Sequence, residues 1–397
     1  MGFLAKASAL FIGLRVSSSY HQALQVPPAK ESALQAAKRD VRAAIKAASS
    51  FIQLNDANWE PEFASRAPRS RPSVEPRFFT QGSVAYNLLV DPCQKPPQQL
   101  DLDDGMYVRV EFLNGRPALV AKALFEMVEA ALAPLCQARG WILNPPPAKS
   151  TCVRVQISAD SHIDIPIYSA PVETIETLSF QSASLQKSMV DARSGREYAR
   201  LPSDEIMLAN RDGTWQPSDP LKLHEWVDAC AERYGEEFRR ACRYIKGWRD
   251  FAWDGCCLSS ITIMAGVAKA FDELQGTHRR MADDELVYEI AQRLPAIFEG
   301  TLWNPAYPGK EIVLNDWCDE ERTEVVAAAR ALAQNMDDAL KGTAVADLVV
   351  AALRRAFGSR IPLRPDMIEI AAPVAAIVLA EKAAAVPAPR IIKSTQG

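Results

Sequence analysis

Three aspartates and a glycine–serine pair are the residues of this sequence whose types and spacing could do chemistry. Asp101 and Asp103 stand two positions apart, which on a β-strand places both carboxylates on one face. Asp164 lies between two isoleucines, where an unpaired charge would be costly. Three convergent carboxylates suit Mg²⁺ or Mn²⁺, and two such ions support an in-line phosphoryl transfer. Gly82 and Ser83 would let backbone and hydroxyl groups approach a phosphate.

Each of these pieces alone also has an ordinary structural explanation. A Gly-Ser pair is usually a turn, and a single aspartate in a strand is often a salt-bridge partner. The Asp-rich stretch 101–105 could be a loop or a calcium turn, although it lacks the other EF-hand ligands. Their order and spacing are more specific, because Asp101 follows Ser83 by 18 residues and Asp164 follows Asp103 by 61.

The strands that would carry these residues are predicted between residues 78 and 170. Val108, Val110 and Phe112 alternate with polar residues after the acidic stretch. Two further strands are predicted at Thr151–Ile157 and His162–Tyr168. Alternate side chains of the strand His162–Tyr168 point to opposite faces of the sheet. One face holds Ile163, Ile165 and Ile167, and the other holds His162, Asp164 and Tyr168.

Helices are predicted on both sides of these strands. Apolar residues recur at three- and four-residue steps over 30–52. Pro117–Arg139 has proline at its start and Gly140 just past its end, which is the usual asymmetry of helix termini. The chain turns helical after about residue 219, first over Pro220–Phe251, with more helices to about residue 384.

This layout predicts an α+β fold in which a mixed α/β part precedes a mostly helical part. We expect four regions: an N-terminal helical segment packing on the core (1–60), a core (61–218), a helical lobe (219–385) and a flexible tail (386–397). The tail has no hydrophobic period and nothing that could bury a core.

Composition excludes several functional classes. The 397 residues include 45 Lys and Arg against 49 Asp and Glu, so the net charge of −4 argues against a protein that coats nucleic acid. The eight cysteines form no CxxC pair, which indicates reduced thiols and no zinc site. The apolar run at 370–380 is too short to span a bilayer, and Arg15 interrupts the apolar N-terminus. We therefore expect a cytoplasmic protein with no membrane partner.

The constellation resembles a known nucleotidyltransferase family. A Gly-Ser pair, an Asp-x-Asp and a third aspartate on a later strand are the pattern of the polymerase-β-like superfamily. Longer segments resemble the bacterial cGAS/DncV-like nucleotidyltransferases (CD-NTases), and within them the DncV-type cyclic dinucleotide synthases. These segments are Arg77–Tyr86, 96–107, His162–Tyr168, Trp215–Pro220, Arg243–Asp250 and Trp253–Met264.

The resemblance implies a fold and a set of site residues. The fold would be a bilobed polymerase-β-like core, with a mixed sheet and helices, plus a helical C-terminal lobe. Asp101, Asp103 and Asp164 would be the catalytic residues and would bind two Mg²⁺ or Mn²⁺ ions. The nucleotide-binding residues would be Gln81, Gly82, Ser83, Tyr86, Arg154, Ser218, Lys246 and Ser260.

Two of these positions also have local arguments. Lys246 lies between Ile245 and Trp248 on a predicted helix, and Ser260 opens an apolar helix whose N-terminus would favour phosphate. The alternatives are an ordinary surface lysine and an ordinary N-cap serine. The sequence departs from the family at 256–258, where Cys-Cys-Leu replaces Gly-Gly-Pro, and at 299–315, a region that contributes base contacts in the family.

The resemblance implies an enzyme that joins ATP- and GTP-type triphosphates into a cyclic di- or trinucleotide, releasing pyrophosphate, in bacterial antiphage (CBASS) signalling. An effector protein would be reached only through the product, with no obligate nucleic acid. Two alternatives stay open: a non-cyclising nucleotidyltransferase that modifies RNA or protein, and a nucleotide-binding regulator. The family's flexible tail with a terminal glycine further implies that Gly397 is a conjugation point for a ubiquitin-like E1/E2-type partner.

Overall fold

The computed structural model describes residues 2–13, 18–59, 61–71, 75–94, 96–108, 117–169, 206–218 and 220–371. Its helices are α1 (Ser8–Phe11), α2 (Tyr20–Ala23), α3 (Pro28–Leu54), α4 (Pro61–Ala64), α5 (Gly82–Ala85), α6 (Pro117–Arg139), α7 (Pro220–Tyr234), α8 (Glu236–Ala252), α9 (Ser260–Glu273), α10 (Asp283–Glu299), α11 (Asp319–Leu340) and α12 (Ala346–Phe357). Its strands are β1 (Ala5–Lys6), β2 (Arg77–Thr80), β3 (Leu100–Val108), β4 (Ile142–Leu143), β5 (Cys152–Ser158), β6 (Ser161–Ser169), β7 (Met207–Ala209), β8 (Trp215–Pro217) and β9 (Glu369–Ile370).

A seven-stranded mixed sheet organises the first lobe. Its strands run in the order β2-β3-β6-β5-β4, with β7 beside β6 and β8 beside β7. Only the central pair, β3 with β6, is parallel among these pairings. This pairing aligns Asp101 with His162 and Asp103 with Asp164. The four side chains therefore share one face of the sheet, because residues two apart on a strand point the same way.

The opposite face of the sheet is covered by α3 and α6. Leu34, Val41 and Ile45 of α3 are buried there, as the helical period predicts. Helix α6 spans the predicted residues, and Gly140 follows it with φ of +68°, a conformation that glycine adopts without strain. The α+β fold, the mixed sheet and both of these helices are confirmed.

The helical lobe forms a second hydrophobic cluster, built on α7 to α12. The predicted helical region Pro220–Phe251 is two helices, because Gly235 interrupts it with φ of +85°. Residues 5–11 and 20–24 also pack in this cluster, so the predicted N-terminal segment (1–60) divides between the lobes. Strand β1 pairs with β9 near the end of the described chain.

The eight cysteines are all free thiols. Cys136, Cys152, Cys230 and Cys242 are buried, whereas Cys256 and Cys318 are exposed. No helix in the described residues is long and apolar enough to cross a membrane. The C-terminal tail, including Gly397, lies outside the described residues.

Candidate active site

The acidic face of β3 and β6 is the centre of the candidate site. The Asp101 side chain is 44% exposed, whereas Asp164 is almost wholly buried. Burial, followed by the charges of Asp101 and Asp164, raises the pKa of Asp103 to about 8. A carboxyl group that is buried beside other negative charges ionises less readily. Such a face is completed by a cation from outside the chain.

Asp164 already has two cationic partners. Arg154 on β5 donates from Nε to Oδ1 at 2.6 Å and from Nη2 to Oδ2 at 2.7 Å. Lys149 Nζ donates to Oδ2 at 2.6 Å. Burial acts to raise the pKa of Asp164, but these hydrogen bonds and charges outweigh it and lower the pKa. Asp164 is therefore a stable anion and a poor proton acceptor in this structure, and Arg154 lies beside it.

His162 is a fourth member of the acidic face, which the sequence reasoning did not select. Its Nε2 lies 2.9 Å from Oδ1 of Asp101, and its Nδ1 lies 2.8 Å from Oε1 of Gln99. The Gln99 amide orientation is fixed, because its Nε2 donates to the carbonyl of Ala159 at 3.0 Å. Nδ1 therefore donates to Gln99, and neither Nε2 of His162 nor Oδ1 of Asp101 has a hydrogen-bond partner among the described residues. A metal ion between these two atoms would satisfy both.

These residues fit a metal ion. One ligand atom from each of Asp101, His162 and Asp164 lies within 4.8 Å of the other two. Asp103 adds a carboxyl group on the same face. Carboxylate and imidazole ligands together suit a divalent cation such as Mn²⁺, and carboxylates suit Mg²⁺. An Asp-His-Asp cluster that could bind metal is therefore present.

The Gly82–Ser83 turn stands directly over Asp103. Gly82 has φ of +64°, and a Cβ at this position would lie 2.2 Å from Oδ2 of Asp103. The backbone N–H of Gln81 donates to the carbonyl of Asp103 at 2.8 Å, which ties the turn to β3. Only glycine permits this approach, so the turn holds Ser83 beside the carboxylates.

Lys246 reaches this turn from the helical lobe. It is buried on α8 and donates from Nζ to Oγ of Ser83 at 2.9 Å and to the carbonyl of Leu88 at 2.7 Å. Burial, and then the charge of Arg249, lowers the pKa of Lys246 to about 8. The surface-lysine alternative is wrong, since this ammonium lies inside the protein against the Gly-Ser turn.

The side chains of three further predicted contacts, Gln81, Ser218 and Tyr86, contact tyrosine and histidine side chains. The side chain of Gln81 points to the tyrosine pair, donating to Tyr107 and accepting from the Tyr168 hydroxyl at 3.2 Å. The Ser218 side chain hydrogen-bonds to the same Tyr168. Tyr86 is buried edge-on to a histidine of α7. These side chains support the turn and the sheet in this structure.

Ser260 is the first residue of α9, but it is not the N-cap. That position belongs to Ser259, whose Oγ accepts from the backbone N–H of Thr262. Arg249 donates to Oγ of Ser260 at 3.2 Å and to the carbonyl of Leu258 at 3.3 Å. The turn at which the sequence departs from the family is thus fastened to α8, three residues beyond Lys246.

Comparison with known proteins gives consistent matches. The family model for the nucleotidyltransferase domain of "Cyclic GMP-AMP synthase DncV-like" proteins matches residues 76–168. The model for the "Cyclic GMP-AMP synthase, C-terminal domain" matches residues 235–369. A cyclic GMP-AMP synthase of Vibrio cholerae is 30% identical over 313 residues, covering 72% of this chain and 68% of the relative. One from Escherichia coli is 33% identical over 227 residues, covering 52% of each.

Solved structures share the fold. Vibrio cholerae DncV in complex with the linear intermediate 5′ pppA(3′,5′)pG superposes with a TM-score of 0.73 at 22% identity. DncV in complex with GTP and 5MTHFGLU2 gives a TM-score of 0.74, also at 22% identity. Both comparisons cover 94% of this chain and 100% of the other.

Proposed function

The chain belongs to the cyclic GMP-AMP synthase family and is therefore a nucleotidyltransferase, and we propose that it joins ATP- and GTP-type ribonucleoside triphosphates into a cyclic di- or trinucleotide. The observation that carries this proposal is the acidic face of β3 and β6, with the Gly82–Ser83 turn and Lys246 beside it. Carboxylates for metal ions and a buried ammonium for phosphate thus meet in one place.

Asp101, Asp103 and Asp164 would hold the catalytic metal ions, which we propose are two Mg²⁺ or Mn²⁺. Bound divalent cations neutralise the triphosphate and acidify the attacking hydroxyl. Asp103 would release its proton on binding a cation, since its pKa of about 8 arises from burial and neighbouring anions. His162 adds a nitrogen ligand or orients Asp101.

The reaction would proceed by in-line displacement. The 3′-oxygen of the acceptor forms a bond to the α-phosphorus of the donor, and the bond from that phosphorus to the β-phosphate bridge breaks. Pyrophosphate leaves and the hydroxyl proton passes to solvent. A second transfer of the same kind closes the ring. Asp164 would contribute its negative charge, which Arg154 and Lys149 stabilise before the substrate binds.

Lys246 and Ser83 would hold the triphosphate. The ammonium already donates to Ser83 and to the Leu88 carbonyl, and a phosphate oxygen is a stronger acceptor for it than either. Gly82 lets the turn lie against the Asp103 carboxylate, so a phosphate on Ser83 would lie beside the metal-binding aspartates. We assign the other nucleotide contacts to Gln81, Tyr86, Ser218 and Ser260, through backbone groups or after side-chain rearrangement.

Arg154 and Lys149 would change partners when substrate binds. Both Asp164 oxygens accept hydrogen bonds from these cations, and a metal ion would compete for the same oxygens. A nucleotide offers the displaced cations new anionic or base acceptors. This exchange accounts for Arg154 as both a partner of Asp164 and a nucleotide contact.

Mass spectrometry of the product tests the proposed function. The protein is incubated with the four ribonucleoside triphosphates and Mg²⁺, then treated with phosphatase, and Asp101→Ala serves as the matched control. A phosphatase-resistant cyclic product from the wild type alone supports the proposal, because a ring has no terminal phosphate. Phosphatase-sensitive linear products favour the non-cyclising alternative, and binding without turnover favours the regulator.

We place this activity in the cytoplasm and in antiphage signalling, with a separate effector that responds to the product. Plaque counts in cells carrying the chain with its neighbouring genes test the role. The wild type should reduce plaques, and Asp101→Ala should not. Equal protection by the inactive variant would contradict it.

Gly397 remains a proposed conjugation point for a ubiquitin-like E1/E2-type partner. A terminal carboxylate that enters two successive active sites favours a residue without a side chain. Deleting Gly397 should abolish an amide or thioester adduct with the cognate partner and leave purified synthase activity unchanged. If the full-length chain forms no adduct with that partner, this assignment is wrong.

A further inference from the structure

The C-terminal end of α8 is held by two glutamine side chains from the segment that leads into β3. Gln98 donates from Nε2 to the carbonyl of Asp250 at 2.7 Å and to that of Trp253 at 2.6 Å. Gln94 donates from Nε2 to the carbonyl of Asp250 at 3.1 Å and to that of Phe251 at 3.0 Å. The last carbonyls of a helix have no partner within it, so these amides complete the end of α8 from outside the helical lobe.

The orientation of the Gln98 amide is fixed by Gln94. The backbone N–H of Gln94 donates to Oε1 of Gln98 at 2.9 Å, and the backbone N–H of Gln98 donates to the carbonyl of Gln94 at 2.9 Å. Because Oε1 accepts, Nε2 is the atom that faces the two carbonyls of α8. Gln94 and Gln98 therefore form one unit, which we call the glutamine clamp.

The glutamine clamp is a second place where α8 meets the chain between the Gly82–Ser83 turn and β3. The first is Lys246, which donates to Ser83 and to the carbonyl of Leu88. Asp250 is four residues beyond Lys246, or about 6 Å farther along the helix. A helix held at one point is free to pivot there, whereas two points of attachment fix its direction relative to β3.

The glutamine clamp also lies between the two hydrophobic clusters of the molecule. Leu88 and Val90 are buried in the cluster of the helical lobe, whereas Leu100 and Leu102 are buried in the cluster of the sheet. The aspartates of β3 alternate with these last two leucines. Lys246 and the aspartates are thus supported by different clusters, and the clamp connects the helix that carries one to the strand that carries the others.

We propose that Gln94 and Gln98 are positioning residues for nucleotidyl transfer, which set the distance between Lys246 on α8 and the aspartates of β3. This role rests on the proposed function, in which the ammonium holds the triphosphate and the aspartates hold the metal ions. A triphosphate bound to both must span a fixed distance, and a displacement of about 1 Å can cost about 100-fold in rate. Without the clamp the triphosphate would follow the ammonium, and its α-phosphorus would lie out of line with the metal ions.

Steady-state kinetics test this role in a clamp variant that carries both Gln94→Leu and Gln98→Leu. Its kcat for synthesis should fall by about tenfold or more, because the reacting atoms are misaligned. Its KM for nucleotide should change less than about threefold, because Lys246 and Ser83 are still present. In the Lys246→Met background the same two changes should lower kcat less than about threefold, since the ammonium that the clamp positions is gone.

Gln292→Leu is the matched control. Gln292 also donates from Nε2 to a backbone carbonyl, that of Ala333 at 2.9 Å, but this hydrogen bond joins α10 to α11. Its loss removes a glutamine-to-carbonyl contact of the same kind without touching α8 or β3. The control variant should therefore keep the wild-type kcat and KM.

Binding measured without turnover separates the positioning role from the proposed function. The nucleotide is α,β-methylene ATP, whose α–β bridge cannot be cleaved, and it is titrated by calorimetry with and without Mn²⁺. Mn²⁺ should tighten analogue binding to the wild type by about tenfold or more, and to the clamp variant by less than about threefold. This result from a wild type that makes no cyclic product would support the positioning role and contradict the proposed function.

The proposal is overturned if the clamp variant keeps its kcat within about twofold of the wild type, or if Mn²⁺ does not tighten analogue binding to the wild type. It is equally overturned if kcat falls as much in the Lys246→Met background or in Gln292→Leu. A lower melting temperature with a normal kcat would make the glutamines structural caps of α8. If the clamp variant fails to fold, Gln98→Asn, whose amide is one methylene too short to meet both carbonyls, must lower kcat with little change in KM.

Discussion

Asp103 and Asp104 are neighbours on β3, yet their side chains point to opposite faces of the sheet and have opposite environments. Asp104 is fully buried against α3 and accepts hydrogen bonds from Arg42, including one from Nε at 2.6 Å, and from Thr80 at 3.1 Å. Asp103 faces two other aspartates, and none of the described residues donates a hydrogen bond to its carboxyl group. Its pKa is raised to about 8 by burial and by those neighbours.

The difference separates a structural carboxylate from a functional one. A buried charge that serves the fold is neutralised within the chain, and its partners are fixed before any ligand arrives. A carboxyl group that serves a cation is kept among like charges, at a cost in stability that the bound ion removes. The back face of β3 is therefore complete in itself, and the front face is incomplete without a ligand.

The largest expected effect is on turnover. Asp103→Ala should reduce synthesis by about 10³-fold or more, since a metal ion contributes several kcal/mol to the transition state. Its melting temperature without metal should not fall, because the change removes a carboxyl group whose ionisation is opposed by burial and by Asp101 and Asp164. Product formation followed by mass spectrometry and a thermal melt check the two parts. Near-normal turnover would remove Asp103 from the metal site.

His162 should affect metal binding more than stability. His162→Asn should weaken the apparent affinity for Mn²⁺ by up to about 100-fold, the range for residues that position a metal ligand. Gln99→Leu, which frees Nδ1 of His162, should act in the same direction but less strongly. Titration of activity against Mn²⁺ measures both. Unchanged metal dependence in both variants would make His162 a packing residue.

Asp104 should show the opposite pattern from Asp103. Asp104→Asn leaves Arg42 without a charged partner, and because Arg42 is partly exposed we expect a loss of about 2 kcal/mol, or roughly 30-fold in the folding equilibrium. Chemical denaturation measures it. The folded variant should retain metal binding. A variant that is fully stable but inactive would reverse the contrast between the two faces.

Lys246 should give the smallest and most pH-dependent effect. Its pKa is lowered from 10.5 to about 8, so the folded protein loses this proton before the unfolded chain does, and its contribution to stability rises between pH 8 and 10.5. Nucleotide binding needs the charged form, so the affinity should fall as the pH rises above 8. Lys246→Met should raise the KM by about tenfold at pH 7 and flatten this dependence. A parallel pH profile in the variant would assign the titration elsewhere.

The sequence predicts the acidic face but only part of its surroundings. The spacing of apolar residues predicts α3, α6 and the two strands β5 and β6. The resemblance places Asp101, Asp103 and Asp164 in one site. The contact between His162 and Asp101 depends on the register of β3 against β6, which joins residues 61 positions apart. The side chains of β6 alternate between the two faces of the sheet, so the sequence alone puts His162 on the same face as Asp164. This alternation is the sequence signal that identifies His162 as a member of the site.

The other features of the site depend on tertiary contacts, which the spacing of apolar residues in the sequence does not reveal. Lys149 donates to Asp164 from a loop in which apolar residues have no regular spacing. The pairing of Arg42 with Asp104 depends on how α3 packs on the sheet. The resemblance implies that Gln81 binds nucleotide, whereas in the structure its side chain hydrogen-bonds to Tyr107 and Tyr168. The interruption at Gly235 requires a positive φ that a helical spacing of apolar residues does not reveal.

Calorimetric titration of Mn²⁺ into the wild type and into Asp103→Asn, at pH 7 in two buffers of different ionisation enthalpy, tests the central claim most directly. The account predicts that the wild type binds Mn²⁺ with release of close to one proton, because Asp103 is mostly protonated below its pKa of about 8. Asp103→Asn should bind more weakly and release none from this group. Equal affinity and equal proton release in the two proteins would contradict the claim that the front face of β3 is a cation site.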